Sequence, residues 1–263
     1  MPEPTIRVEN LTQHYGVRPV LREVNLDVYA GELVAVIGPN GMGKTTLLAA
    51  IAGAHTPQKG SVTVAGLKRR STPAAELEIR RKSVYLPADP FLPRTMTARE
   101  FWISVGKIYE VDFDRLFDHI ERLVALFELE SVVDSSISSG SAGQQKKVAL
   151  AGALLTDTPI LLLDEPFSGG LDASGILALR KVLQRLVSDR QATIVMTAPV
   201  PELVEHSATR VVVLRLGTIV ADGSVAQLKA EAGRGGSLAD ALEQLFFPQT
   251  ADHVAEYFRD TRG

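Results

Sequence analysis

The sequence predicts an α/β protein: a mainly parallel sheet with helices on both faces, preceded by an N-terminal antiparallel β region and interrupted by an inserted α-helical subdomain. Three observations carry this expectation. Leu33-Val34-Ala35-Val36-Ile37 is continuously apolar and rich in β-branched residues, the pattern of a strand buried on both faces. It runs straight into a glycine-rich turn and then a helix. Short apolar strands return at Ile160–Leu163, 193–196 and 211–214, with a helix at about 174–188 among them, while the stretch from about 89 to 155 is mostly helical.

The elements follow in chain order. Ile6-Arg7-Val8-Glu9-Asn10-Leu11 alternates apolar and polar, as a half-buried strand does, and a second strand covers 24–28. Residues 45–52 form the helix after the glycine-rich turn, closed by Gly53. Residues 61–64 form a further strand. In the helical stretch, 114–129 puts Leu116, Phe117, Ile120, Leu123, Val124 and Phe127 on one face at helical spacing, a stripe expected to be core. From Gly233 the chain is glycine-rich and then helical over 237–247. The expected organisation is one domain over 1–232, with sheet-forming parts 1–88 and 156–232 around the helical subdomain at about 89–155, and a short helical extension at 233–263.

Composition narrows the function classes. The apolar share is 45% and the charged share 22%, ordinary for a chain that buries a core. With no cysteine there is no disulfide framework, thiolate nucleophile or cysteine-held zinc. A net charge of −3 argues against nucleic acid as a partner, and the short clusters Lys68-Arg69-Arg70 and Arg80-Arg81-Lys82 are expected to be solvated. No apolar run approaches the ~18 residues of a membrane span, and Met1-Pro2-Glu3-Pro4 does not open a signal peptide. Service to a membrane would therefore go through a partner that spans it.

The chemistry begins at Gly38-Pro39-Asn40-Gly41-Met42-Gly43-Lys44-Thr45, which matches G-x-x-x-x-G-K-[ST] between a buried strand and a helix. Glycines let successive backbone N–H groups turn toward a β-phosphate, and the helix directs its positive end at the same anion. Lys44 reaches the β- and γ-phosphates and the Thr45 hydroxyl ligates Mg²⁺. The core is thus expected to be a P-loop NTPase (RecA-like) core. It would hold ATP with Mg²⁺ through Gly38, Asn40, Gly41, Gly43, Lys44, Thr45 and Thr46. A second signal is Ile160-Leu161-Leu162-Leu163-Asp164-Glu165, an apolar strand ending in two carboxylates. Asp164 would serve the Mg²⁺ shell, and Glu165 would polarise the attacking water as general base.

These motifs, in this order over roughly 5–223, resemble the nucleotide-binding domain of the ABC ATPase family. Tyr15 stands where the family stacks an aromatic ring on adenine. Ser141-Ala142-Gly143-Gln144 resembles the family signature, usually S-G-G-Q, and Gly170-Leu171-Asp172 looks like the loop that crosses the dimer interface. The resemblance implies two such domains paired head to tail around two ATP molecules, so that Ser141, Ala142, Gly143 and Gln144 act in trans, with Asp172 at the interface. The pair would be a homodimer or a heterodimer. It would work with a separate integral membrane subunit, so the chain would be cytoplasmic and peripheral on the inner face of the membrane. Phe91, Leu92, Phe101 and Trp102 lie where the family grips that partner, although core packing is the favoured reading of any single aromatic among them. Gly236-Ser237-Leu238-Ala239-Asp240-Ala241-Leu242 is like the ending of members found with exporter-type membrane subunits.

Three positions depart from the family pattern. Ala142 replaces a signature glycine. Ala88 stands where the Q-loop glutamine is expected, with Asp89 beside it, and Ala198 stands where the switch histidine is expected. The five histidines (His14, His55, His119, His206, His253) lie elsewhere. The expectation is an ATP site with weakened hydrolysis. Two other readings compete: a soluble ABC protein of translation or DNA repair, disfavoured by the single nucleotide domain and the acidic balance, and a non-hydrolysing ATP-gated regulatory subunit.

Overall fold

The structure, a computed structural model, describes residues 2–231, 237–246 and 256–257. It opens with a hairpin of β1 (Ile6–Tyr15) and β2 (Arg18–Val28). Both strands are longer than the alternation predicts. The pattern breaks where bulges interrupt the register, with Asn10 at φ 48° and Glu23 at φ 49°, and pairing resumes beyond them. Then come β3 (Leu33–Ile37), α1 (Lys44–Ala52), β4 (Lys59–Val64) and β5 (Leu67–Lys68). The strands β2-β1-β4-β5 form one four-stranded antiparallel sheet.

The chain continues through α2 (Pro73–Lys82) into β6 (Ser83–Leu86), then through helices α3 (Ala98–Ile108), α4 (Phe113–Phe127) and α5 (Ala142–Leu155). It returns to the second sheet at β7 (Ile160–Leu163). After it come α6 (Ala173–Arg190), β8 (Thr193–Ala198), α7 (Glu202–Glu205), β9 (Arg210–Arg215), β10 (Thr218–Gly223), α8 (Val225–Glu231) and α9 (Leu238–Phe246). Its order is β10-β9-β3-β8-β7-β6, parallel except for the β9–β10 pair. The expected helix at 237–247 is observed as α9; the glycine-rich 233–236 lies outside the described residues.

Alternation along β3 divides the core in two. Leu33, Ala35 and Ile37 face a cluster built with α3–α6, while Val34 and Val36 face a second one that packs α1 between the two sheets. All five are buried, as a central parallel strand requires.

Two side chains, Phe117 and Arg69, sit differently from expectation, and the docking candidates divide between core and surface. Phe117 is 40% exposed and packs edge-on against Phe113, because the apolar stripe of α4 is narrower than the helical wheel suggests. Trp102 is fully buried and donates its indole N–H to Val148 O at 2.9 Å, so it is core and not a docking surface. Phe91 is 92% exposed, whereas Leu92 and Phe101 pack against the core. Arg69 is buried, not solvated: it donates to Ile51 O at 3.0 Å and pairs with Glu76 at 3.1 Å. Apolar α1 gives it a floor, and a carboxylate partner offsets its desolvation.

Candidate functional site

The loop between β3 and α1 bends at Gly43, whose φ is 99° and whose would-be Cβ would lie 2.7 Å from Val20 O. Only glycine fits there, since β2 crosses directly over the turn. Lys44 follows as the first residue of α1. It is buried, and its ammonium donates to Gly38 O at 2.7 Å and Pro39 O at 3.2 Å, drawing the loop's own carbonyls together. Burial pushes its pKa down, and the charges of Glu165 and Asp164 oppose that. Asn40, Gly41 and Thr45 are exposed at the loop surface, while Thr46 is buried beneath it.

Parallel pairing through β8 brings the end of β7 alongside. Thr45 Oγ1 donates to Asp164 Oδ1 at 3.2 Å, joining residues 119 apart in the chain. Thr197 Oγ1, at the end of β8, donates to the same oxygen at 2.5 Å. The other carboxylate oxygen, Oδ2, is buried and has no hydrogen-bond partner. A fully buried carboxylate with one oxygen unpaired beside a threonine hydroxyl fits a hard divalent cation that takes its remaining oxygens from phosphate and water. Among the described residues no three His, Cys, Asp or Glu side chains cluster as a metal cage.

Glu165 is half-buried and held at φ 45°. A left-handed conformation in a residue other than glycine costs of order 1 kcal/mol or more and persists where surroundings impose it. Here the Glu165 N–H donates to Thr197 Oγ1 at 2.9 Å and its carbonyl accepts from Ser168 N–H at 3.1 Å. The Thr197 hydroxyl therefore bridges both acidic residues. Ala198 pairs in register with Ile37, at the mouth of the loop, and offers a buried methyl. Ala88 likewise offers no polar side chain, and its carbonyl accepts from Lys146 Nζ at 3.2 Å.

The remaining candidates form a second group. Ser141 is the N-cap of α5 in a reciprocal capping box: Gln144 N–H donates to Ser141 Oγ at 3.2 Å, and Ser141 N–H to Gln144 Oε1 at 2.8 Å. Ala142 is the first residue of α5 and has no positive φ, so the loss of glycine there carries no backbone strain. Gly143 needs to be glycine for another reason: a Cβ would lie 2.4 Å from Gly170 O. Asp172 caps α6, accepting from Gly175 N–H at 2.8 Å and Lys147 Nζ at 3.0 Å. The Lys147 hydrogen bond, then that from Gly175, holds its carboxyl below the usual range. Among the described residues no hydrogen bond joins 141–144 to 38–46. Tyr15 is 54% exposed, tilted against His55 with ring centroids 5.9 Å apart, and leaves a face open.

The family model for ABC transporters matches residues 21–168, which run from β2 through the loop, α5 and β7 to the turn after Glu165. The chain belongs to the ABC transporter family. It is similar to a Nod factor export ATP-binding protein I of Rhizobium meliloti, 32% identical over 84% of this chain and 65% of the relative. It is similar at nearly the same level to a sulfate/thiosulfate import ATP-binding protein of Pseudomonas syringae, 34% identical over 84% of this chain and 67% of the relative. The chain thus spans about two thirds of the length of these curated relatives. Among solved structures, a dimeric ATP-binding cassette in a post-hydrolysis state, bound to ADP and Pi, aligns with a TM-score of 0.75. That alignment has 25% identity and covers 83% of this chain and 98% of that one.

The ABC chain is therefore an ATP-binding domain of α/β P-loop NTPase fold, in a family whose ATP-binding domains are ATPases. Among the described residues, no helix is long and apolar enough to cross a membrane. Sequence reasoning did not single out Thr197 or Lys146. Thr197 was legible only as the neighbour of Ala198 at a strand end; Lys146 lay in plain sight after the signature.

Proposed function

We propose that this chain binds Mg·ATP at the loop of Gly38–Thr46, pairs with a second ABC ATPase subunit around the nucleotide, and drives a separate integral membrane subunit. Its own site hydrolyses slowly. The observation that carries this is the composition of the site. Lys44, Thr45, Asp164 and Glu165 meet at the ends of β3 and β7, while Ala88 and Ala198 contribute no side chain able to touch a phosphate.

In this reading the loop N–H groups and Lys44 cradle the β- and γ-phosphates. Thr45 and Asp164 would hold Mg²⁺, which when bound would offset charge on the phosphate oxygens. Glu165 accepts a proton from the water that attacks the γ-phosphorus as the bond to the β-phosphate oxygen breaks, giving ADP and phosphate. Tyr15 stacks on adenine. The signature residues Ser141, Ala142, Gly143 and Gln144, at the start of α5, meet the γ-phosphate held by the paired subunit, with Asp172 at the interface. The dimeric cassette among the similar structures supports the pairing. Homodimer and heterodimer both fit. In the second arrangement, this chain lends its signature to a more active partner site. The relatives include both an export and an import subunit, so the direction of transport rests on the membrane partner. Association with that partner would keep the chain on the cytoplasmic face of the membrane.

Loss of a preorganised group near developing charge costs on the order of 10²–10³ in rate. Steady-state ATPase of the purified chain tests the reading. Turnover far below that of an ABC ATPase with glutamine and histidine at these positions is expected, and Glu165→Gln should remove what remains. Rapid turnover that Glu165→Gln abolishes would sink the weakened-site proposal and leave nucleotide binding standing.

A further inference from the structure

A second ammonium is buried next to the acidic end of β7, and nothing in the reading above uses it. Lys146 lies in the second turn of α5 and is 5% exposed. Its Nζ donates to Ala88 O at 3.2 Å. The carbonyl it holds belongs to the turn after β6, and β6 is bonded directly to the site: Asp164 N–H donates to Leu86 O at 2.8 Å. The stem of Lys146 runs along the other wall, where a Cβ on Gly169 would lie 3.5 Å from Lys146 Cδ. Gly169 follows the turn closed by Ser168 N–H on Glu165 O. The ammonium is thus wedged between the chain leaving β6 and the chain leaving β7.

A buried ammonium needs compensating charge. Burial lowers the Lys146 pKa, and Asp164, Glu165 and Asp89 pull it back up. Only one of its three N–H groups has a hydrogen-bond partner among the described residues, the Ala88 carbonyl. The turn that lacks a polar side chain at Ala88 therefore receives a charged one from α5.

We propose that Lys146 is a positioning residue and a fixed counter-charge of the nucleotide site, tying the Ala88 turn to the acidic end of β7 and making ATP binding less dependent on Mg²⁺. The proposal rests on the reading of the 38–46 loop as an ATP site. A divalent cation and an ammonium here perform overlapping work, since each offsets the carboxylates and the incoming phosphates. Removing the ammonium should therefore matter most when the divalent cation is absent.

The test is equilibrium binding of ATP to the full chain by calorimetry, once in excess MgCl₂ and once in EDTA, for the unsubstituted chain and for Lys146→Gln, Lys146→Met and Lys146→Arg. For Gln and Met, the ratio of the EDTA Kd to the Mg²⁺ Kd should rise on the order of tenfold. Arg, which keeps the charge, should stay within about twofold of the unsubstituted ratio. Methionine keeps an unbranched stem in the buried channel, so it reads the charge even if the glutamine chain fails to fold. A ratio unchanged in a folded Gln or Met chain, or an Arg chain that behaves like them, would overturn the proposal while ATP binding stands. No ATP binding by the unsubstituted chain in MgCl₂ would overturn the nucleotide-site reading, and this proposal with it.

Discussion

Thr197→Val removes one hydroxyl from the point where three chain segments meet. That hydroxyl donates to Asp164 Oδ1 at 2.5 Å and accepts the Glu165 N–H at 2.9 Å, and Thr197 is fully buried. Valine fills nearly the same space, so cavity formation is a small part of the effect. A hydrogen bond to a charged group contributes about 1.5–3 kcal/mol, and a buried N–H left unpaired costs about 1–3 kcal/mol. These losses share one atom and are not independent, so about 3 kcal/mol is the working figure for the pair. For a chain of this size that corresponds to a fall of roughly 6–12 °C in the melting midpoint. Thr197→Ser keeps the hydroxyl, loses one methyl, and should cost only about 1 kcal/mol. Thermal melts followed by circular dichroism, with and without Mg·ATP, measure both. If Thr197→Val melted within about 2 °C of the unsubstituted chain, the hydroxyl would not be holding Asp164 and Glu165, and the account of the left-handed turn at Glu165 would fail.

Changes at two further positions probe the framework around the site. Trp102→Phe should destabilise by about 1–2 kcal/mol, because Val148 O loses its donor. Trp102→Ala should cost about 3–5 kcal/mol; chemical denaturation reads both, and near-neutral effects would return Trp102 to the surface. Burial works against the Glu76 carboxylate, yet the Arg70 N–H and the Arg69 guanidinium outweigh it and hold its pKa below the ordinary value. A depressed carboxyl stabilises above its unfolded pKa and loses that contribution as pH falls through the folded one. Glu76→Gln should therefore cost about 2 kcal/mol near pH 7, where it leaves Arg69 buried without its partner. It should also flatten the stability profile below about pH 5, and an unchanged profile between the two chains would refute the pairing.

Legibility in the sequence followed the range of the forces involved. β3, α1 and β7 were readable because each is set locally: an unbroken β-branched run, a glycine-rich turn before a helix, an apolar run that stops at two acids. β1 and β2 were read short because bulges at Asn10 and Glu23 break the alternation without ending the pairing. The short β6 and polar-faced α2 carry too little period to announce themselves; α2 starts on a Thr72 cap and a proline that only the structure ties to Glu76 and Arg69. Phe117 was misread, and Trp102 was left between docking and core, for one reason. Helical spacing tells which residues share a face, and the partner element decides how much of that face is covered.

The same distinction separates the two kinds of site residue. Lys44, Thr45, Asp164 and Glu165 are proposed to act through chemistry that demands those residue types, so their identities mark them before any fold is known. Thr197 and Lys146 act through where they sit. A threonine at a strand end and a lysine one turn into a helix are ordinary surface residues by composition. They acquire meaning because the parallel register of β3, β8, β7 and β6 stacks four strand ends side by side, and because α5 returns across them. The two alanines make the point from the other direction. At Ala88 and Ala198 the sequence shows what is missing, and it cannot show that an ammonium from α5 bonds the backbone carbonyl at one of them. At Ala198 the pairing with Ile37 brings only a methyl to the loop. The Ala88 turn on the β6 side therefore carries an ammonium on its backbone carbonyl, and the Ala198 end of β8 presents a methyl. In the proposed reading an asymmetry of that kind lowers turnover more than binding, because Lys44 and its loop would hold the phosphates without either alanine position.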